Sequence, residues 1–198
     1  MNFKNLLIKR RSIYNISNKT DINDDQLLSI LLTALTYCPT AFNSQSGRMV
    51  LLLDNAHTVF WQKTFNIIKT HIKPEQTTKT FEKIQSFVNG HGTILFFDDQ
   101  ESIRKLQKQY PLYKNNFKTW SQQSQGILQF ITWTLLAEVN IGASLQHYNP
   151  LIDQEVTNTF NIPKTWKLTA QMPFGSIAIP ADAKSFIPLE KRYKIFTK

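Results

Sequence analysis

Residues 114–139, KNNFKTWSQQSQGILQFITWTLLAEV, set the architecture of this chain. After Pro111 the only helix breaker in the stretch is Gly126, so a long helix is expected over 114–139. Ile127, Phe130, Ile131, Thr134 and Leu135 form one stripe, while Leu128, Trp133, Leu136 and Val139 fall largely off it. A helix apolar on more than one face is expected to be buried almost all round. It belongs either at the centre of the domain or in an extensive subunit interface.

Working outward, Asn23-Asp24-Asp25-Gln26 reads as a capping box with two acids in the first turn, followed by Leu27, Leu28, Leu31, Leu32 and Leu35 at helical spacing. Pro39 ends that helix. Residues 49–53 and 93–97 are short apolar runs and read as fully buried, central strands. Between them Trp61, Phe65, Ile68 and Ile72 mark one face of a helix, and a less regular helix covers 80–87. Asn149-Pro150 reads as a cap with proline at the first helical position, starting a helix that runs to about Phe160. Residues 168–179 read as a strand interrupted at Pro173 and Gly175, and 189–198 as a basic extended tail. No repeat, low-complexity tract or linker divides the chain, so residues 1–198 are expected to form a single α+β domain.

Composition narrows the function classes. With 198 residues, 41% hydrophobic and 12% aromatic, the chain can bury a substantial core, which excludes intrinsic disorder. Its 23 Lys+Arg against 14 Asp+Glu give a formal charge of +9 and favour anionic partners. The single cysteine, Cys38, permits no intramolecular disulfide and no thiolate metal cluster within one chain. The apolar run Leu6-Leu7-Ile8 is too short for a secretory signal, and no stretch is long enough to span a membrane. A cytoplasmic location with no membrane partner is the expectation.

The sequence has no GxxxxGK[ST], GxGxxG, GxSxG or HExxH, and its four histidines lie apart, so no metal site is expected. What remains are basic and amide-bearing clusters. Lys9-Arg10-Arg11-Ser12 offers three cations and a hydroxyl, a set that suits a phosphate, although a solvated charge cluster would read the same way. Lys191-Arg192 is equally ambiguous on its own. Pro39-Thr40-Ala41-Phe42-Asn43-Ser44-Gln45-Ser46 is dense in the paired donors and acceptors that the edge of a heteroaromatic ring requires, or else is a plain polar loop. Gly142-Ala143-Ser144-Leu145-Gln146-His147-Tyr148-Asn149-Pro150 has the same character.

Taken together, Arg10-Arg11-Ser12, the PTAFNSQ loop, the GASLQHYNP segment, Met172-Pro173-Phe174-Gly175 and the PLEKR of residues 188–192 resemble the nitroreductase family of flavoproteins. The likeness, to the short subgroup named after the fatty-acid-repression mutant protein, runs over about residues 2–196. The resemblance implies a mostly antiparallel mixed sheet flanked by helices, in an intertwined homodimer that exchanges its C-terminal segments and binds FMN at the subunit interface. It also implies that Arg10, Arg11 and Ser12, joined by Lys191 or Arg192, hold the phosphate and ribityl end. Pro39, Thr40, Asn43 and Gln45 of the other subunit would meet the ring, with Gln146, His147 and Tyr148 on its opposite side. Tyr14 stands where many larger members carry a basic residue, which leaves open the cation for the reduced flavin.

The expected function is therefore reduction of nitroaromatic or quinone-like acceptors with NAD(P)H as transient co-substrate, in a two-stage (ping-pong) exchange with no catalytic side chain required. Two alternatives stand beside it: a flavin-binding redox sensor or regulator with slow turnover, and a basic nucleic-acid-binding protein. Against the last, the cations are scattered and no reading motif is present, so no nucleic-acid partner is expected.

Overall fold

The computed structural model describes residues 2–197. Its helices are α1 (Phe3–Lys9), α2 (Asp24–Tyr37), α3 (Asp54–Ile68), α4 (Thr77–Val88), α5 (Gln100–Gln109), α6 (Asn116–Glu138) and α7 (Asp153–Phe160). Its strands are β1 (Ile16–Ser17), β2 (Gly47–Leu53), β3 (Gly92–Asp99), β4 (Ile141–Ala143) and β5 (Trp166–Ile177). The strands form one sheet in the order β1-β5-β3-β2, with β4 also paired to β5, and every strand pair is antiparallel. The one parallel element among the described residues is the isolated bridge Ser12↔Ala143.

β3 is buried along its whole length because helices cover both faces of the sheet. Ile94 and Phe96 enter one core with Leu27, Leu31, Leu128 and Leu136, from α2 and α6. Leu95 and Phe97 enter the other with Phe60, Trp61, Ile84, Phe87 and Val156, from α3, α4 and α7. The side-chain period of two thus divides one apolar run between two cores.

Several sequence expectations are corrected. β2 is not central: it ends the sheet path and is mostly half-buried, since its outer edge has no strand partner among the described residues. β5 runs through Pro173 and Gly175 without interruption. The Pro173 carbonyl accepts from Ser144 N–H at 3.3 Å, so its ring nitrogen faces the same outer side, clear of the ladder to β3. Gly175 lies so close to β1 that a Cβ there would meet the Ser17 carbonyl oxygen. The helix expected from Asn149-Pro150 begins only at Asp153, because the Asn149 side chain accepts from Gln171 Nε2 at 3.2 Å rather than capping. Ile72 lies beyond the end of α3, yet still packs on its core. Within the single chain α6 is not buried all round, since Ile127 and Phe130 are 39% and 38% exposed, so the fold of one chain does not by itself supply the burial expected of it.

The capping box at Asn23 and Gln26 is present with both reciprocal bonds, at 2.9 and 3.0 Å, and it fixes the start of α2. Cys38 then takes extended geometry before Pro39, which places the 39–45 loop. The tail is extended and exposed apart from a 3₁₀ turn at Leu189–Lys191; residue 198 lies outside the described residues.

In the α3 core, Trp61 Nε1–H donates to Thr93 Oγ1 at 2.8 Å, so the Thr93 hydroxyl donates to His57 Nδ1 at 2.9 Å. His57 Nε2–H then donates to the Val88 carbonyl at 3.2 Å, which assigns the neutral tautomer. Burial lowers the His57 pKa in the folded state, outweighing the opposing bonds to the Val88 and Phe87 carbonyls. The unfolded imidazole takes up a proton near its ordinary 6.5 while the folded one does not, so stability is retained above that pH and lost as pH falls below it. Urea midpoints at pH 7.5 and 5.5 should show this loss, at most about 1.4 kcal/mol per pH unit, and a His57→Gln variant should show a smaller one.

Candidate functional site

α1 ends at Lys9, and Arg10 caps it through N–H to the Leu6 carbonyl at 2.9 Å. The next residues run beside β4, where Ile13 N–H donates to the Ala143 carbonyl at 2.9 Å. This fixes Arg10, Arg11 and Ser12 against the edge of the sheet. The Arg10 guanidinium lies 4.4 Å over the Trp133 ring of α6, and its Nε is buried without a hydrogen-bond partner. Burial, and then the charge of Arg11, hold the Arg10 pKa below its ordinary value. Arg11 donates to the Asp182 carbonyl at 2.6 Å, which ties down the start of the tail. Among the described residues neither arginine pairs with a carboxylate. Arg11, Ser12 and Tyr14 line a cleft of about 270 Å³ with residues 179–183.

The 39–45 loop is held in a strained shape. Phe42, Asn43 and Gln45 have φ of 55°, 50° and 44°, in the left-handed region that costs non-glycine residues roughly 1–2 kcal/mol each. Thr40 Oγ1 accepts from Gln45 N–H at 3.1 Å, and Arg48 donates to the Gln45 carbonyl at 2.7 Å. Arg48 is itself fixed by Asp99 at 2.8 Å. The Phe42 ring packs against Tyr110, Tyr113, Phe117 and Trp120, with centroids 4.8–5.7 Å away. Pro39, Asn43 and Gln45 are exposed, and the Asn43 and Gln45 amides have no hydrogen-bond partner among the described residues.

The third cluster lies along the outer edge of β5. Gln146 and Gln171 exchange backbone bonds at 2.7 and 2.9 Å, and Tyr148 N–H donates to Gln171 Oε1 at 2.8 Å. The Gln146 side chain turns inward to Ser144 Oγ at 3.1 Å, so only its backbone borders the edge. His147 is exposed and Tyr148 half-buried; burial, and then neighbouring Tyr14, push the Tyr148 hydroxyl up to about 12. It therefore stays a hydrogen-bond donor at neutral pH.

α6 connects these clusters. Phe117 and Trp120 hold the 39–45 loop, Trp133 holds Arg10, and Gln125 and Gln129 line a cleft of about 440 Å³ that also receives His147 and Asn149. From Trp120 to Trp133 the helix advances roughly 20 Å. Lys191 and Arg192 are not brought to the arginines in this protomer; they lie on the exposed tail.

Sequence reading missed the polar side of α6. Ser121, Gln125 and Gln129, spaced four residues apart, are buried against Asp98 and Thr169, and that spacing was the available signal. It also missed Arg48, whose distant partner Asp99 leaves no local trace.

The nitroreductase family model matches residues 7–176, and the chain belongs to that family. Membership makes it an oxidoreductase of nitroreductase type. Among curated relatives, the protein HBN1 of Saccharomyces cerevisiae is 30% identical over 185 residues, covering 91% of each chain. The nitroreductase FRM2 of the same yeast, the fatty-acid-repression mutant protein, is 28% identical over 188 residues, covering 94% of this chain and 93% of its own. Among solved structures, nitroreductase CinD from Lactococcus lactis, in complex with chloramphenicol, superposes with a TM-score of 0.89. It is 38% identical, covering 99% of this chain and 100% of its own. An FMN complex from Exiguobacterium sibiricum shares the fold, with a TM-score of 0.75 at 13% identity, covering 98% and 97% of the two chains. No helix among the described residues is long and apolar enough to cross a membrane.

Gln45→Gly should stabilise the protein, because release of left-handed strain of roughly 1–2 kcal/mol outweighs roughly 0.5–1 kcal/mol of added chain entropy. Differential scanning calorimetry should show a melting temperature about 1–4 °C higher. An unchanged or lower value would mean that the Gln45 side chain contributes to the fold.

Proposed function

We propose that the protein is an FMN-dependent reductase that takes hydride from NAD(P)H and passes it to nitroaromatic or quinone-like acceptors. The observation that carries this reading is the Arg10–Arg11 pair. Neither cation has a carboxylate partner among the described residues: Arg10 keeps a buried, unpartnered Nε over Trp133, and its neighbour Arg11 lines an open cleft beside the Ser12 hydroxyl. Such an arrangement favours an anion with several acceptor oxygens, and a phosphate supplies them. The donor set fits FMN: Arg10, Arg11 and Ser12 hold its phosphate and ribityl end, with Lys191 or Arg192.

The ring is held by residues from two protomers. Exposed Asn43 and Gln45 amides, on a loop pre-shaped by Thr40, Arg48 and Phe42 and entered through Pro39, offer donors and acceptors to its polar edge. His147, Tyr148 and the Gln146 backbone line the other side, with the neutral Tyr148 hydroxyl as donor and Tyr14 close by. A homodimer is supported by apolar surface left open on the protomer: Leu28, Leu32 and Tyr37 of α2, Ile127 and Phe130 of α6, and Phe186, Ile187, Leu189, Tyr193, Ile195 and Phe196 of the tail. A tail exchanged with the partner buries its own apolar side chains and carries Lys191 and Arg192 toward a phosphate.

FMN, when bound, supplies the hydride chemistry, accepting from nicotinamide and donating to the acceptor. The protein's part is to hold the ring, shape one cleft over it and admit solvent protons. Residues 1–198 act as a single domain in this reading, in the cytoplasm, without nucleic acid, membrane or metal. A slow-turnover redox sensor would use the same residues, and steady-state turnover separates the two.

Arg10→Ala and Arg192→Ala should each weaken FMN binding by roughly 1.5–3 kcal/mol, read by fluorimetric titration of the apoprotein. Unchanged affinity in both would remove the phosphate from this cleft. With one cleft serving nicotinamide and acceptor in turn, initial-rate plots at several fixed acceptor concentrations should be parallel. Intersecting lines would require both to be bound together.

A further inference from the structure

The larger cleft, between α6 and the start of β5, has a charge pattern that flavin binding does not use. Its floor is polar and satisfied: buried Asp98 accepts from the Ser121 hydroxyl and from Gln100 Nε2 at 3.0 Å, and Gln125 Nε2 donates to the Phe97 carbonyl at 3.0 Å. Its mouth is different. Arg104 from α5, Lys118 from α6 and Lys167 from β5 stand around it, exposed, and none forms an ion pair among the described residues. The next residue on α5, Lys105, does pair, with Glu101 at 2.9 Å. Asp153 feels the charge of Lys167 without pairing with it.

A solvated charge run comes from one segment; here three separate elements bring cations to one opening. Together they make the opening positive, which favours entry of an anion. The cleft, about 440 Å³, has room for a substituted aromatic ring, and His147, which the proposed function sets beside the flavin ring, lines it.

We propose that this cleft selects acceptors whose aromatic ring carries a negatively charged substituent, with Arg104, Lys118 and Lys167 as the specificity-determining side chains. The proposal rests on the flavin reading above, because it places the acceptor next to the ring that His147 borders.

The test is calorimetric titration of the oxidised FMN-loaded protein with 4-nitrobenzoate and with its neutral isostere 4-nitrobenzamide, with flavin content read by absorbance in each sample. At low salt the carboxylate should bind roughly tenfold tighter, and the preference should shrink as salt is raised. The variant Arg104→Gln/Lys118→Gln/Lys167→Gln should bring the ratio near one, and Lys118→Glu/Lys167→Glu should invert it. The ratio of kcat/KM for the two acceptors should follow the binding ratio. A preference unchanged in the neutral triple variant overturns the proposal. So does a variant that loses affinity for NADP⁺ but not for 4-nitrobenzoate, since the cations would then serve the donor's phosphate. A protein that retains no flavin overturns the flavin reading and this proposal together, and absorbance separates that case from a failure of selectivity alone.

Discussion

The packing of α6 on β3 is the contact on which the rest of the structure depends. Leu128 and Leu136 press onto Ile94 and Phe96, and the buried polar stripe of α6 closes over the end of the same strand through Ser121, Gln125 and Asp98. Register is fixed twice, by apolar fit and by hydrogen bonds that leave Asp98 satisfied in the interior. With α6 fixed, Trp133 has one position in which to receive Arg10, and Phe117 and Trp120 one in which to receive Phe42. A single helix therefore sets both the arginine cluster beside β4 and the amide-bearing loop.

That arrangement explains why strain is tolerated where it is. Three left-handed residues in the 39–45 loop would relax if only Thr40 and Ala41 held them. The aromatic rings around Phe42 and the Arg48–Asp99 pair hold the loop from two directions, so that two exposed amides keep a fixed aim without internal partners. The same economy appears at Arg10, where stacking on Trp133 orients the guanidinium while its Nε is left free.

What was legible in the sequence was local. Asn23 and Gln26 announce α2 because a capping box is written within four residues, and Pro39 ends it for the same kind of reason. Residues 93–97 read correctly as central because both faces of β3 are covered, whereas 49–53 read the same way and belong to the strand that ends the sheet path. An apolar run records that a strand is covered somewhere, without recording by which neighbour. α5 escaped because QESIRKLQKQ has only Ile103 and Leu106 as apolar anchors; its cap, Asp99 accepting from Glu101 N–H at 3.1 Å, was the usable signal. The ordered motifs of the site were visible as a set. Their mutual placement along α6 was not, since it rests on contacts such as Arg10 with Trp133 and Arg11 with Asp182, far apart in sequence.

The central claim is that one flavin site is assembled from two protomers on the frame set by α6. Subunit complementation tests it most directly. A protomer carrying Arg10→Ala and Arg11→Ala is mixed with one carrying Asn43→Ala and Gln45→Ala, after each has been shown to bind FMN weakly alone, and tight binding is then titrated. If the amides come from the partner, every mixed dimer places both defects in one site and leaves the other intact, so tight FMN binding returns on mixing. If each protomer builds its site from its own loop, every site keeps one defect and mixing restores nothing, which would contradict the account.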